Sequence, residues 1–202
     1  MRTMIVAALV LAAAPTTAQE IVSVYTDLDA ERHCSVFSTA GEGDGDWANM
    51  VCAGYRGYPV LVYYADARES VSYGFPPAGD LAPAWESFHA FNHAGPKIEW
   101  RVERHDGRET PFATIHRWFV SDPDDADKAS SGPIEVLVVE KVGQIHEREG
   151  CAVGYVVATG HEDANEKARR IADGQARDFA CGDEPVVDAG SVPVPSFSRA
   201  EN

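Results

Sequence analysis

Two histidines have the spacing that could hold a metal. His89 and His93 are four apart, so on a helix they would share one face, with Glu86 three residues before the first. The segment lacks the His-Glu-x-x-His pattern, and Asn92-His93-Ala94-Gly95-Pro96 has the composition of a loop, which would turn the two rings apart. No transition metal or other cofactor is therefore expected. Gly41-Glu42-Gly43-Asp44-Gly45-Asp46 has the glycine content of a phosphate-cradling loop, but its acids would repel a phosphate and no helix pattern follows. Calcium fits Asp44-Gly45-Asp46 and Asp122–Asp127 little better. Counted from Asp122, the fifth position is Ala126 and the sixth is Asp127, where a calcium loop needs a ligand and a glycine. Both stretches read as solvated loops.

Nucleophiles are equally sparse. There is no Gly-x-Ser-x-Gly elbow. The four cysteines, Cys34, Cys52, Cys151 and Cys181, contain no Cys-x-x-Cys, which removes support for a thioredoxin-like motif or a zinc knuckle. An even number in an exported chain reads as two disulfides. Three pairings are open, and the local ones, Cys34–Cys52 and Cys151–Cys181, are preferred because each closes a short loop between neighbouring elements. The loop-entropy model gives each about 3–4 kcal/mol. With both formed no thiol is left for catalysis. Seven histidines and abundant acids could still converge from distant positions, so an envelope hydrolase with a spatially assembled His/acid site is the alternative function.

The start of the chain sets the compartment. Arg2 is followed by an unbroken apolar run, Met4 to Ala14, and then by Pro15-Thr16-Thr17-Ala18, ending in small residues. That order predicts a signal peptide over 1–18, cleaved before Gln19. The run is shorter than the ~18 residues of a membrane anchor, and no cysteine follows the cleavage point to accept a lipid. A periplasmic or secreted protein without a membrane anchor is expected. Residues 1–18 hold one Arg and no acid, so the mature chain carries 16 basic and 32 acidic residues, a balance of −16. Such a charge repels nucleic acid and anionic lipid. It favours a cationic protein or envelope component as partner.

The elements that must position any site are mostly strands. Ile21–Thr26, Cys34–Ser38, Asn49–Ala53, Pro59–Tyr64 and Ser70–Tyr73 follow one another between Gly-, Asp- and Arg-rich breaks. Ile134–Val142 and Cys151–Thr159 come later, and the runs Val60–Tyr63 and Val136–Val139 are apolar on both faces, as central covered strands are. The strong helix pattern is Ala164–Phe179, with Ala164, Ala168, Ile171, Ala172, Gln175 and Phe179 on one face and a capping box from Asp163 and Glu166. One helix covers one sheet face, so a second sheet layer or the aromatic stretch Trp85–Phe91 must cover the other. Ser121–Gly132 reads as a loop and 183–202, with Pro185, Pro193 and Pro195, as a disordered tail. The expectation is one α+β domain over 19–182: a mainly antiparallel sheet, one C-terminal helix packed on it, and two disulfides.

Lys97–Arg104 alternates with period two, and Asp106-Gly107 is a favoured tight-turn pair, so Phe112–Val120 should return as a hairpin, near a sheet edge at Pro111. Pairing His105 with Arg108 sets Trp100 opposite Ala113, Ile98 opposite Ile115 and Arg101 opposite Phe112. On that register Arg101, Phe112, Thr114 and His116 share a half-exposed face, where an arginine beside an aromatic has the composition of a binding hot spot.

Several stretches together carry a resemblance: Tyr25-Thr26-Asp27-Leu28-Asp29, Gly57-Tyr58-Pro59-Val60, Phe91 to Arg101, Pro111 to Ile115, Val136 to Val142, Gly154-Tyr155-Val156 and Phe179-Ala180-Cys181. On these the chain resembles a family of small exported periplasmic proteins of Gram-negative bacteria whose activity is uncharacterised. The resemblance spans nearly the whole mature domain and stops before the tail. It implies an envelope protein with two disulfides and brings no catalytic residue. The function expected is a periplasmic binding or interaction domain without catalysis.

Overall fold

A computed structural model describes residues 19–77, 84–121, 132–190 and 192–201. The expected signal peptide over 1–18 and the stretch Asp122–Asp127 lie outside the described residues. In chain order the elements are β1 (Glu20–Asp27), α1 (Ala30–His33), β2 (Cys34–Thr39), β3 (Trp47–Ala53), β4 (Pro59–Ala65), β5 (Arg68–Tyr73), β6 (Ala84–Phe88), β7 (Asn92–His105), β8 (Arg108–Val120), β9 (Ile134–Lys141), β10 (Cys151–Val157), α2 (Ala164–Gln175), β11 (Val186–Asp188) and β12 (Phe197–Glu201).

The strands form a six-stranded sheet ordered β1-β7-β8-β9-β10-β11, a four-stranded meander β2-β3-β4-β5, and a two-stranded ribbon β12-β6. All these ladders are antiparallel except β10–β11. This is the expected α+β class, mainly antiparallel, with one substantial helix near the C-terminus. Both expected disulfides are present, Cys34–Cys52 and Cys151–Cys181.

Apolar runs on both faces of β9 explain the layering. Val136 and Val138 point into a core shared with Val60, Val62, Val71 and Tyr73 of the meander and with Ile98, Trp100 and Trp118. Leu137 and Val139 point the other way, into a second core under α2. The second sheet layer therefore covers one face, and Phe88 from the aromatic stretch joins it. On α2, Ala164, Ala168, Ala172 and Ala176 form a fully buried stripe of small side chains that brings the helix close to the sheet. Ala176, not the expected Gln175, carries that stripe onward, and Gln175 is exposed. The expected capping box does not form: Asp163 makes no side-chain cap bond, and its carboxylate lies 3.7 Å from Lys167 instead.

Two further expectations need correction. The described part of 183–202 is not a disordered tail, since β11 extends the large sheet and β12 pairs along its whole length with β6. The prolines that suggested disorder, Pro193 and Pro195, sit in the connection and leave Phe197–Glu201 free to pair. The hairpin register also differs. Asp106 and Gly107 take positive φ as expected (49° and 73°), and His105 pairs with Arg108. Val102 then pairs with Pro111 but Arg101 pairs with Ala113, so Phe112 is an extra residue in a bulge. Pro111 cannot donate a ladder bond, which is where such an interruption is tolerated. Pro111 also lies beyond the last β8–β9 pair, Ala113–Lys141, so that part of β8 is at a local edge.

Candidate functional site

A one-residue shift moves every later side chain of β8 to the opposite face. Trp100 now pairs with Thr114, Ile98 with His116, and Arg101 with Ala113. Thr114 and His116 consequently lie with Trp100 in the inter-sheet core, both with 0 % exposure, and Arg101 and Phe112 lie under α2 at 8 % and 6 %. The half-exposed face expected to unite these four residues does not exist.

Three of the four, Arg101, Phe112 and His116, are held by specific internal contacts. Arg101 donates through Nε and Nη2 to the two carboxylate oxygens of Asp173 on α2, at 2.8 and 2.7 Å, and through Nη1 to Ser23 Oγ. Next to it Glu99 accepts two bonds from Arg169, at 2.7 and 3.1 Å. Burial opposes ionisation of Glu99, but Arg169, Ser23 and Arg101 outweigh it and hold the carboxyl below its ordinary value. These four charged residues clamp α2 to β7. Phe112 is covered by the Arg177 guanidinium, 3.6 Å from the ring centre. His116 Nε2 lies 2.6 Å from the Gly95 carbonyl and Nδ1 lies 2.6 Å from the Tyr73 hydroxyl. A carbonyl only accepts, so Nε2 carries the proton and Nδ1 accepts from Tyr73. Burial pulls the His116 pKa down to about 4, so the ring is neutral near pH 7. Thr114 Oγ1 has no hydrogen-bond partner.

The other sequence candidates are also dispersed. His89 and His93 flank the turn between β6 and β7: His89 Nε2 is 2.9 Å from Ser198 Oγ, and His93 stacks on Phe119. In the Gly41–Asp46 loop, Asp46 accepts from the Tyr64 hydroxyl at 2.9 Å. Among the described residues no three His, Cys, Asp or Glu side chains converge as a metal would require.

Concave surface instead gathers where the C-terminal ribbon meets the Cys151–Cys181 disulfide. The floor is set by a close approach of two chain segments. Gly143 donates to the Tyr73 carbonyl at 2.9 Å and accepts from the Phe75 amide at 2.8 Å. A Cβ on Gly74 (φ 86°) would sit 2.3 Å from the Gly143 carbonyl, and one on Gly143 would sit 2.6 Å from the Phe75 carbonyl. Above this floor opens a cleft of about 570 Å³ walled by Tyr73, Phe75, Pro76, Glu147, Arg148, Glu149 and Arg199. Arg148 spans part of it, donating to the Ile145 and Pro76 carbonyls, each at 3.2 Å. A second cleft of about 220 Å³ lies beyond Arg199, walled by Glu86, Cys151, Tyr155, Asp183 and Phe197.

Arg199, from the strand misread as tail, separates the two clefts. Its Nη1 donates to Glu86 Oε1 at 3.1 Å and to the Gly150 carbonyl at 3.2 Å. Glu86 is also approached by the Ala152 amide, at 3.4 Å, and its own amide donates to Ser70 Oγ at 3.0 Å. Behind it Glu140 is 2 % exposed. Burial, and then the negative charge of Glu86, push the Glu140 carboxyl well above its ordinary value, against the pull of Arg199. Burial and Glu86 thus favour the protonated form of Glu140, and the Arg199 guanidinium opposes it. Tyr155 is likewise raised by burial and by the same two glutamates.

The cleft walls hold four carboxylates, Glu86, Glu147, Glu149 and Asp183, against the guanidiniums of Arg148 and Arg199. Lys141 reaches Glu149 at 3.6 Å from outside the walls. Their chemistry is that of a negatively biased groove with aromatic and proline surface. Sequence reasoning missed it because Glu86 and Arg199 are 113 positions apart. The one local signal was the alternation Phe197-Ser198-Arg199-Ala200, a strand pattern within the presumed tail. Comparison with protein-family models, curated proteins and solved structures finds no match to this chain.

Proposed function

We propose that the protein is an exported, periplasmic binding domain without catalysis, whose partner is a cationic protein or envelope component engaged at the double cleft beside Cys151–Cys181. The observation that carries this reading is the excess of carboxylates over guanidiniums along the cleft walls, in a molecule whose formal net charge is −15. Field lines from like-signed walls focus in a concave site and draw in opposite charge. Calorimetry on the mature chain with a lysine- and arginine-rich hexapeptide tests it. Binding should weaken steeply with added salt, and the pair Glu147→Gln with Glu149→Gln should weaken it roughly tenfold, as loss of two charge contacts implies. Equal binding of an all-glutamate hexapeptide, or of neither, would refute the reading.

A hydrolase is the second reading, favoured by one feature: Glu140 is a carboxyl whose pKa burial and the charge of Glu86 raise, as the acid of an acid–base pair requires. Glu140 lines neither cleft and is buried, so its carboxyl faces only protein. That places binding first. Release of soluble fragments from purified cell-wall sacculi, abolished by Glu86→Gln, would reverse the order.

A further inference from the structure

The last strand is seated like a bound peptide. β12 lies antiparallel on β6 with Phe197 opposite Phe88 and Arg199 opposite Glu86. Its side chains alternate, Phe197 and Arg199 turning inward and Ser198 and Ala200 outward. Phe197 fills a notch between Phe88 and Tyr155, with ring centres 4.9 and 4.8 Å away. Two positions on, Arg199 meets Glu86 and the Gly150 carbonyl. Main-chain pairing with pockets for alternate side chains is how extended segments are recognised at a sheet edge. β6 pairs with no described strand except β12. β12 itself reaches β6 through a connection holding Gly190, Pro193 and Pro195, and it is only five residues long.

From these contacts we infer that β6 and the two clefts form a receptor for an extended protein segment bearing an aromatic residue and, two positions later, an arginine, and that β12 is its replaceable intramolecular occupant. The inference rests on the binding-domain reading and gives the cationic partner a form. The chain supplies its own guanidinium to Glu86, so an incoming arginine competes with Arg199 for the same carboxylate. The exchange makes and breaks no covalent bond. A tethered occupant scales apparent affinity down to the fraction of time it leaves the groove free.

A fluorescent peptide copying residues 192–202 tests this on the full mature chain. Wild type should bind it weakly, and Phe197→Ala and Arg199→Ala, each weakening the internal competitor, should bind at least tenfold more tightly. Peptides with the phenylalanine or the arginine changed to alanine should lose at least tenfold against every form. If one variant misfolds the other carries the test, and hydrogen exchange on wild type adds a third readout. β12 amides should exchange at least a hundredfold faster than those of β8. Equal binding to wild type and variants, equal binding of a scrambled peptide, or equally slow β12 and β8 exchange would overturn it. A concentration-dependent dimer dissolved by the peptide would overturn the partner assignment and give the groove to a second copy. Binding of a lysine-rich peptide indifferent to both β12 variants would leave the cationic-partner reading standing and remove this one.

Discussion

His116 and Glu140 show how burial reverses the usual roles of ionisable groups. The native His116 pKa is about 4 against an ordinary 6.5, so between those values the unfolded chain binds a proton that the native chain refuses. Stability must then fall as pH drops from 6.5 to 4, by about 3 kcal/mol in all for this group, and level off below. Glu140 acts with the opposite sign. Its native pKa lies well above 4.5, so the native state holds a proton that the unfolded chain has lost, and its contribution fades as pH rises above 4.5. The slopes oppose one another between pH 4.5 and 6.5. In a Glu140→Gln background, chemical denaturation should expose the acid-side loss from His116, and further change of His116→Gln should flatten it. A slope unaltered by His116→Gln would mean that the ring is protonated in the native core. At this scale the sequence was least informative. His116 was legible as a titratable residue on a strand, but its lack of charge comes from burial between the sheets, against the opposing pull of the Gly95 carbonyl, and neither is set by its neighbours in the chain.

Single elements were far more legible, because strand and helix periods are local properties. Strands β1 to β5 and β7 to β10 fall within a few residues of the apolar runs that predicted them, and the Asp106-Gly107 turn adopts the positive φ values that its residue types favour. Failure came where one residue was inserted. Composition marks Pro111 as awkward in a ladder but does not say that Phe112 will bulge, and that single step moved Thr114 and His116 into the core and set Arg101 beneath α2. The helix has the converse property, since its alanine stripe fixes how near it can lie. Ala172 is fully buried against the sheet, so Ala172→Leu should cost about 1–3 kcal/mol by overpacking. Exposed Gln175→Leu should change stability by less than ~0.5 kcal/mol, as a surface substitution does. Thermal denaturation of the two variants decides it. A larger loss from Gln175→Leu would place the sequence-expected face, not the observed one, against the sheet.

At the scale of the whole molecule the two disulfides divide the work between layers. Cys34–Cys52 joins β2 and β3 within the meander, where the two residues are already ladder partners. Cys151–Cys181 instead ties the start of β10 to the segment after α2, the route by which the chain reaches β11 and β12. Cys151 is buried and both sulfur-bearing residues line the clefts, Cys181 the larger and Cys151 the smaller. The C-terminal segment thus returns to the fold at one covalent point, and the clefts lie where it returns. Beyond that point β11 has three residues and β12 five, too few to hold themselves without the sheet they join. Replacing both Cys151 and Cys181 by alanine should therefore do two separable things. Global stability should fall by about 3.5 kcal/mol, the loop-entropy value for a separation of 30 residues. β11 and β12 should also lose hydrogen-exchange protection well below the global transition, while β7 to β9 keep theirs. The same replacement at Cys34 and Cys52 should lower global stability by a similar amount and leave β12 protected to the same degree relative to the core. If the two double variants lose β12 protection equally, the disulfide near the clefts has no special hold on the C-terminal ribbon, and the local anchoring of the site is wrong.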